Sequence, residues 1–438
     1  MYIKRKIDDY LLKWAVDSSR KPLVIRGVRQ CGKTSAVRKL AESFESYIEI
    51  NLDKSPRYRD IFDGEMDINQ IISEIEIVSG TRVVSGKTLI FIDEIQEEPR
   101  AIAALRYFYE DRPDIHVIAA GSLLEVVLNG RKGNKVIDFP VGRVRSIYMY
   151  PFSFPEFLIG VGQDILYDHL MDEEKRPLDE KAHEKLLECY KEFLVVGGMP
   201  EAVATFVDTH SLLECQGVHR DIITSFFDDF EKYSGTIPAN TIRRVFEFSI
   251  RNICSQIKAS SAITGVSAYV FDECIRILRR SGLVYPVKAS SCETLPLGAS
   301  EKESNKKLII FDSGVYLTER KLDVGELLAS DVFDVINKGD VVEMQTGLEM
   351  IKASEPFRDI DLYYWYRQGA NAEVDYITEK ENTVIPIEVK SSGKGSMQSM
   401  RSFLKTHSKS PYGIRVSLEN YAEYDDIHVV PVYAAGLI

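Results

Sequence analysis

Apolar and polar positions follow three different rhythms along the chain. Up to about residue 160, short apolar runs alternate with stretches of helical spacing: Leu23 to Ile25, Leu89 to Ile92 and "IHVIAA" are the runs, and Ala36, Val37, Leu40 and Phe44 mark one helical face. Buried strands alternating with amphipathic helices predict a parallel sheet covered on both faces. From there to about residue 325 helical spacing dominates, broken at Gly197, Gly198 and Pro200, where "GGMPEA" reads as an architectural turn between helices. Between Asp221 and Tyr285 the pattern predicts three helices and a strand, compatible with a winged-helix module, and "SSCETLPLGASEKESNKKLII" reads as an exposed hairpin loop before a strand. The remainder predicts a helix at "GDVVEMQTGLEMI", a strand hairpin, a polar helix at "SMQSMRSFLKTHSKS" and a strand at "YGIRVSL". The expected organisation is α/β, with domains at 1–160, 161–325 and 326–438.

The hairpin carries a definite register. In "TVIPIEVK" the side chains of Ile385, Ile387 and Val389 share one face, and those of Glu388 and Lys390 share the other. If Glu381 and Asn382 form a two-residue loop, facing residues have numbers summing to 763, so that Asp375 lies opposite Glu388 and Glu373 opposite Lys390. An odd loop would separate the two acids unless a bulge restored them.

Composition narrows the classes. A chain of 438 residues with 45% hydrophobic and 28% charged positions holds more than one globular domain and little disorder. The formal charge of −12 argues against a general polyanion-binding surface, although DNA needs only a local basic groove. Arg276, Arg279 and Arg280 are candidates for phosphate contacts or simply for a solvated helix face. Six scattered cysteines without a CxxC pair read as reduced packing residues. The opening "MYIKRKIDDYLLKWAV" carries charges where a signal peptide needs an apolar run, and no membrane-spanning run occurs, so a cytoplasmic protein without membrane contact is expected.

Chemistry concentrates in two places. "RGVRQCGKTS" fits GxxxxGKT between a strand and a helix. Gly27 and Gly32 let backbone N–H groups turn onto phosphate oxygens, Lys33 reaches the β and γ phosphates, and the Thr34 hydroxyl, followed by Ser35, holds magnesium. The strand "TLIFID" ends in Asp93, placed to hold the magnesium shell, and Glu94, placed to polarise an attacking water. ATP and Mg2+ are the expected cofactors. After "IHVIAAG", Ser122 could sense the γ phosphate or cap a helix. Arg143 could reach a neighbouring subunit's site as a finger, implying a homo-oligomer, or form an ion pair within its own chain. In the second place Asp375 and Glu388, with an acid from a preceding helix such as Glu343, could make an oxygen-ligand set for magnesium, with Lys390 neutralising developing charge or orienting the nucleophile, or could form an Asp-Glu-Lys ion cluster on a half-exposed strand.

"RGVRQCGKT", "LIFIDEIQ", "IAAGSLLE" and "GRVRSIYMYPFSFPEFL" together resemble the bacterial and archaeal AAA-type ATPases that carry a C-terminal domain of unknown function with a nuclease-like core. Glu343, Asp375, Glu388 and Lys390 are similar to the PD-(D/E)XK arrangement of restriction-endonuclease-like folds, with Val374 where proline commonly precedes the aspartate. The resemblance implies an ATPase coupled to a metal-dependent DNA endonuclease. The alternative is a regulatory ATPase whose nuclease-like domain is a docking platform. A small-molecule kinase fits less well, because consecutive acids suit water attack.

Overall fold

A computed structural model describes residues 2–121, 139–172, 175–233, 237–321, 339–367, 369, 372–390 and 397–438. The chain divides into two compact units, 1–150 with 355–359, and 151–354 with 360–438.

Among the described residues the first unit is built on five strands, β1 (Leu23–Arg26), β2 (Ser46–Asn51), β3 (Thr88–Asp93), β4 (His116–Ala120) and β5 (Arg145–Tyr148). They lie in the order β2-β3-β4-β1-β5 and every pairing is parallel. β3 and β4 are buried at every position, which is why their sequences are continuous apolar runs rather than alternating ones. Helices Lys33–Ala41, Ile68–Ser79 and Pro99–Asp111 carry the crossovers. Ile71, Ile72 and Ile75 pack with Leu105, Phe108 and the β3 residues Ile90 and Ile92 in one apolar cluster. The helix expected to reach Phe44 stops at Ala41, and Phe44 instead meets the His116 ring edge-on at 4.8 Å.

In the second unit, eight strands among the described residues form one sheet in the order β12-β13-β11-β10-β9-β8-β6-β7. The strands are β6 (Val284–Ser290), β7 (Glu301–Ile310), β8 (Leu362–Tyr366), β9 (Glu373–Lys380), β10 (Thr383–Lys390), β11 (Gly413–Ser417), β12 (Ala422–Tyr424) and β13 (Ile427–Pro431). Helices Leu212–Tyr233, Ala239–Arg251 and Ala268–Arg280 precede β6, as the three-helix-and-strand pattern predicts. β6 and β7, however, do not belong to a separate middle module. β6 pairs in parallel with β8, so the sheet runs across the expected boundary between residues 325 and 326.

The stretch expected to be an exposed hairpin loop is in part core. Cys292 and Leu297 are buried against Trp365, Val374, Ile377, Val384 and Phe403, because two apolar side chains in a polar segment suffice to anchor it. "GGMP" is architectural: Gly198 donates its N–H to Asp312 Oδ2 at 2.7 Å, and its carbonyl accepts from Phe152 at 2.7 Å. All six cysteines are free and buried.

Candidate functional site

β1 ends at Arg26 and the chain turns at Gly27, whose φ of 149° lies where only glycine is comfortable. A side chain there would also collide with the Met149 carbonyl oxygen, so the residue is fixed by conformation and by space. Gly32 (φ 97°) closes the loop as the N-cap of helix Lys33–Ala41, which leaves that helix's first N–H groups facing the loop. Lys33 is buried and its ammonium donates to the carbonyls of Gly27 and Val28, both at 2.9 Å. Ser35 is the third residue of the helix.

One strand separates β1 from β3 in the sheet, and this places the loop beside the carboxyl end of β3. Thr34 Oγ1 donates to Asp93 Oδ2 at 3.1 Å, and Asn51 Nδ2, from the end of β2, approaches the same oxygen at 3.3 Å. The Glu94 N–H donates to Asp93 Oδ1 at 3.1 Å. Burial and the neighbouring Glu94 carboxylate push the Asp93 carboxyl above its ordinary range, partly opposed by the Thr34 hydroxyl. A hydroxyl and a carboxylate converging in this way are hard oxygen donors, so the residues fit Mg2+. Glu94 sits in left-handed backbone (φ 52°), and its Oε2 accepts from Gln96 Nε2 at 2.5 Å.

Asn51 and Gln96 escaped the reading of the sequence. Asn51 is brought to Asp93 only by the β2–β3 register, which pairs those two residues directly. Gln96 sits inside "DEIQ", where the carboxylates drew attention, and Gly121 leaves the room that its side chain needs. Ser122 lies outside the described residues. Arg143 Nε donates to Glu110 Oε1 of its own chain at 2.6 Å, and Arg106 holds the same carboxylate at 3.0 Å. Those two arginines keep the Glu110 carboxyl below its ordinary range.

The second cluster lies around β9 and β10. Glu381 (φ 50°) and Asn382 (φ 63°) form the two-residue turn, and Thr383 faces Lys380 while Ile387 faces Tyr376, the register expected from the sequence. The Asp375 carboxylate therefore lies beside β10, where its Oδ2 accepts from the Val389 N–H at 2.8 Å. Glu388 is only 3% exposed and pairs with Lys390, its neighbour on the same face, at 2.6 Å. Burial raises the Glu388 carboxyl, and Lys390 opposes the rise.

Glu343, on helix Gly339–Ala353, converges on Asp375, and between them is a residue the sequence reading did not single out. Lys307, from β7 and 1% exposed, places its ammonium 2.8 Å from Glu343 Oε1 and 3.6 Å from Asp375 Oδ1, and in contact with Glu373. Burial alone would lower the Lys307 ammonium, but Glu343, Asp375 and Glu373 outweigh it and hold the group charged well above its ordinary range. Two acids of the expected magnesium set thus already share a protein cation, and the third has its own. With Lys307 in place the donor set does not fit a divalent ion.

Arg276 is paired with Glu273, and Arg279 lies over the Tyr285 ring at 4.8 Å, so two of the three candidate phosphate-contacting arginines are already engaged. No helix among the described residues is long and apolar enough to cross a membrane.

Comparison with known proteins bears on the domain that holds the first site. Residues 19–158 match the AAA domain family, 187–351 match a domain of unknown function (DUF8612) and 338–435 another (DUF4143). No curated protein matches the chain. Among solved structures the chain is similar to the Walker-type ATPase PABY2304 of Pyrococcus abyssi, at 14% identity and a TM-score of 0.45 over 73% of this chain and 96% of that one. It is also similar to PCH-2 of C. elegans, at 13% identity and a TM-score of 0.29 over 51% of this chain and 69% of that one. Neither superposition reaches a TM-score of 0.5, so the assignment rests on the family match and on the geometry of the loop itself. From Gly27 to Glu94 the motif, its strands and its hydrogen bonds are mutually consistent, and residues 19–158 of this chain match the AAA domain family and have the fold of a P-loop ATPase domain.

Proposed function

We propose that the chain binds ATP with Mg2+ and hydrolyses it in its N-terminal unit. The observation that carries this reading is the 3.1 Å hydrogen bond from Thr34 to Asp93, which joins the phosphate loop to the acid at the end of β3. Gly27, Gly32 and the first turn of the following helix, including Ser35, offer N–H groups to the phosphates, and Lys33 balances β and γ charge. Thr34 and Asp93 would hold the magnesium ion, which would neutralise charge developing on the phosphate oxygens. Glu94 orients the attacking water, and Gln96 holds the Glu94 carboxylate in position. Phosphate release by Lys33→Ala and Glu94→Gln tests the assignment. Lys33→Ala should lose turnover altogether, whereas Glu94→Gln should keep ATP binding and lose hydrolysis; hydrolysis retained in Lys33→Ala would overturn the reading.

The C-terminal sheet domain has two candidate uses, a DNA endonuclease and a non-catalytic docking platform. The ammonium of Lys307 among the acids favours the second. Cleavage of plasmid and single-stranded DNA with Mg2+ or Mn2+, with and without ATP, distinguishes them. No cutting is expected under any condition. Cutting by the wild type that disappears in Asp375→Ala would restore the endonuclease.

A further inference from the structure

We infer that Lys307 is the resident cation of the C-terminal acid cluster and closes that cluster to divalent metal ions. The inference shares its starting observation with the docking-platform reading, but it concerns cation occupancy rather than cleavage, so either can fail without the other.

The arrangement is costly. A lysine that is 1% exposed loses nearly all of its hydration, which a protein tolerates only when the charge is met by well-placed acceptors. Here Glu343, Glu373 and Asp375 meet it together, and the Tyr364 ring lies 5.3 Å from the ammonium on a further side. Each of these three residues makes a second contact, Glu343 through its backbone carbonyl. Tyr376 Oη donates to the Glu343 carbonyl at 2.8 Å, Gln256 Nε2 donates to Glu373 at 2.5 Å, and the Val389 N–H donates to Asp375.

The lysine cannot readily withdraw. Its neighbour Lys306 exchanges backbone hydrogen bonds with Ile257 and pairs with Asp272 at 2.7 Å, and the next residue, Leu308, accepts from the Cys254 N–H at 3.0 Å. β7 is therefore held on both sides of residue 307.

A magnesium ion bridging Glu343 and Asp375 would need its oxygens at about 2.1 Å and would keep several waters. The ammonium lies between those same oxygens, and a divalent cation brought beside it would add strong like-charge repulsion in a largely dehydrated space. The lysine and the metal therefore compete for one place.

The test is Mn2+ binding to the full-length protein without nucleotide, followed by calorimetry and by electron paramagnetic resonance of free Mn2+. Asp93→Asn serves as the parent, so that the N-terminal acid contributes no metal site. The parent should show no Mn2+ site dependent on Asp375. Adding Lys307→Met should create one, tighter by about tenfold or more than any binding in the parent, and adding Asp375→Asn should remove it again. Lys307→Met should also melt at lower temperature than the parent and recover on addition of Mn2+, while the parent's melting stays unchanged. Two results would overturn the inference: Mn2+ binding by the parent that Asp375→Asn abolishes, or a folded Lys307→Met variant with no new site. Should Lys307→Met fail to fold, the parent and its Asp375→Asn derivative still decide the matter.

Discussion

Gly27 and Met149 approach each other so closely that the glycine's α-hydrogen faces the methionine carbonyl oxygen, and no larger group fits between them. The start of the phosphate loop is thereby pressed against the residue that follows β5. Gly27→Ala must both shift this backbone and hold alanine at φ 149°. It should destabilise the protein by at least about 1–3 kcal/mol and weaken ATP binding, as read by thermal denaturation and by nucleotide titration. Unchanged stability would show that the loop relaxes freely.

Gln96 donates to the Glu94 carboxylate, and on the proposed function it would act through Glu94 rather than on nucleotide directly. Gln96→Ala should lower kcat while leaving KM for ATP within about threefold, and Gln96→Glu, which places like charges together, should be worse than alanine. A change confined to KM would remove its positioning role.

Arg143 is engaged with Glu110 in its own chain. Arg143→Ala should lower ATP turnover by less than about tenfold, against the loss of about a thousandfold expected of an arginine finger. A loss of that larger size, with turnover rising steeply with protein concentration, would establish the finger between subunits.

His219 is buried between Thr318 and Val196, with one ring nitrogen 3.0 Å from the Thr318 hydroxyl and the other 3.0 Å from the Val196 carbonyl. Burial lowers its basicity, with Asp312 and the Val196 carbonyl opposing. Its folded value therefore lies below the unfolded one. The unfolded chain binds the proton first, so this contribution to stability is complete above about pH 6.5 and is lost as pH falls through that value. Between pH 7.5 and 5.5, stability measured by urea denaturation should fall more steeply in the wild type than in His219→Gln, by up to about 1.4 kcal/mol per pH unit. Parallel slopes would show that the imidazole stays neutral in both states or charges in both.

Glu381 occupies left-handed backbone that its side chain gains nothing from. Glu381→Asn should raise stability by about 0.5 kcal/mol without moving the register, whereas inserting one residue between Glu381 and Asn382 should part Asp375 from the Val389 N–H and cost far more. Equal stability of the insertion variant would mean that a bulge absorbs the extra residue.

What could be read from the sequence was whatever neighbouring residues specify together. The phosphate loop is a single contiguous pattern, and the hairpin register follows from a two-residue turn and strict alternation, so Glu381 and Asn382 make the turn and Ile387 faces Tyr376 as expected. Residues whose roles depend on distant pairing were missed. Asn51 reaches Asp93 across 42 positions and Lys307 reaches Glu343 across 36, through strand order and helix placement that no local period encodes. Lys307 did leave one trace, a lysine abutting the apolar run "LIIF" in a strand that turns out to be buried there. The pairing of β6 with β8 was hidden for the same reason: β6 looks like the end of a helical module until that parallel pairing is known.

That pairing bears on how the C-terminal half can be divided. A fragment starting at residue 326 would retain Glu343, Glu373 and Asp375 but leave Lys307 behind with β7, and would strip β6 from the edge of β8. Such a piece would carry uncompensated carboxylates and an open strand edge, a combination that favours intermolecular pairing. The smallest inheritable block of this half is therefore one that keeps the lysine with its acids, and recombination between residues 310 and 339 would separate the Lys307 charge from the carboxylates that meet it.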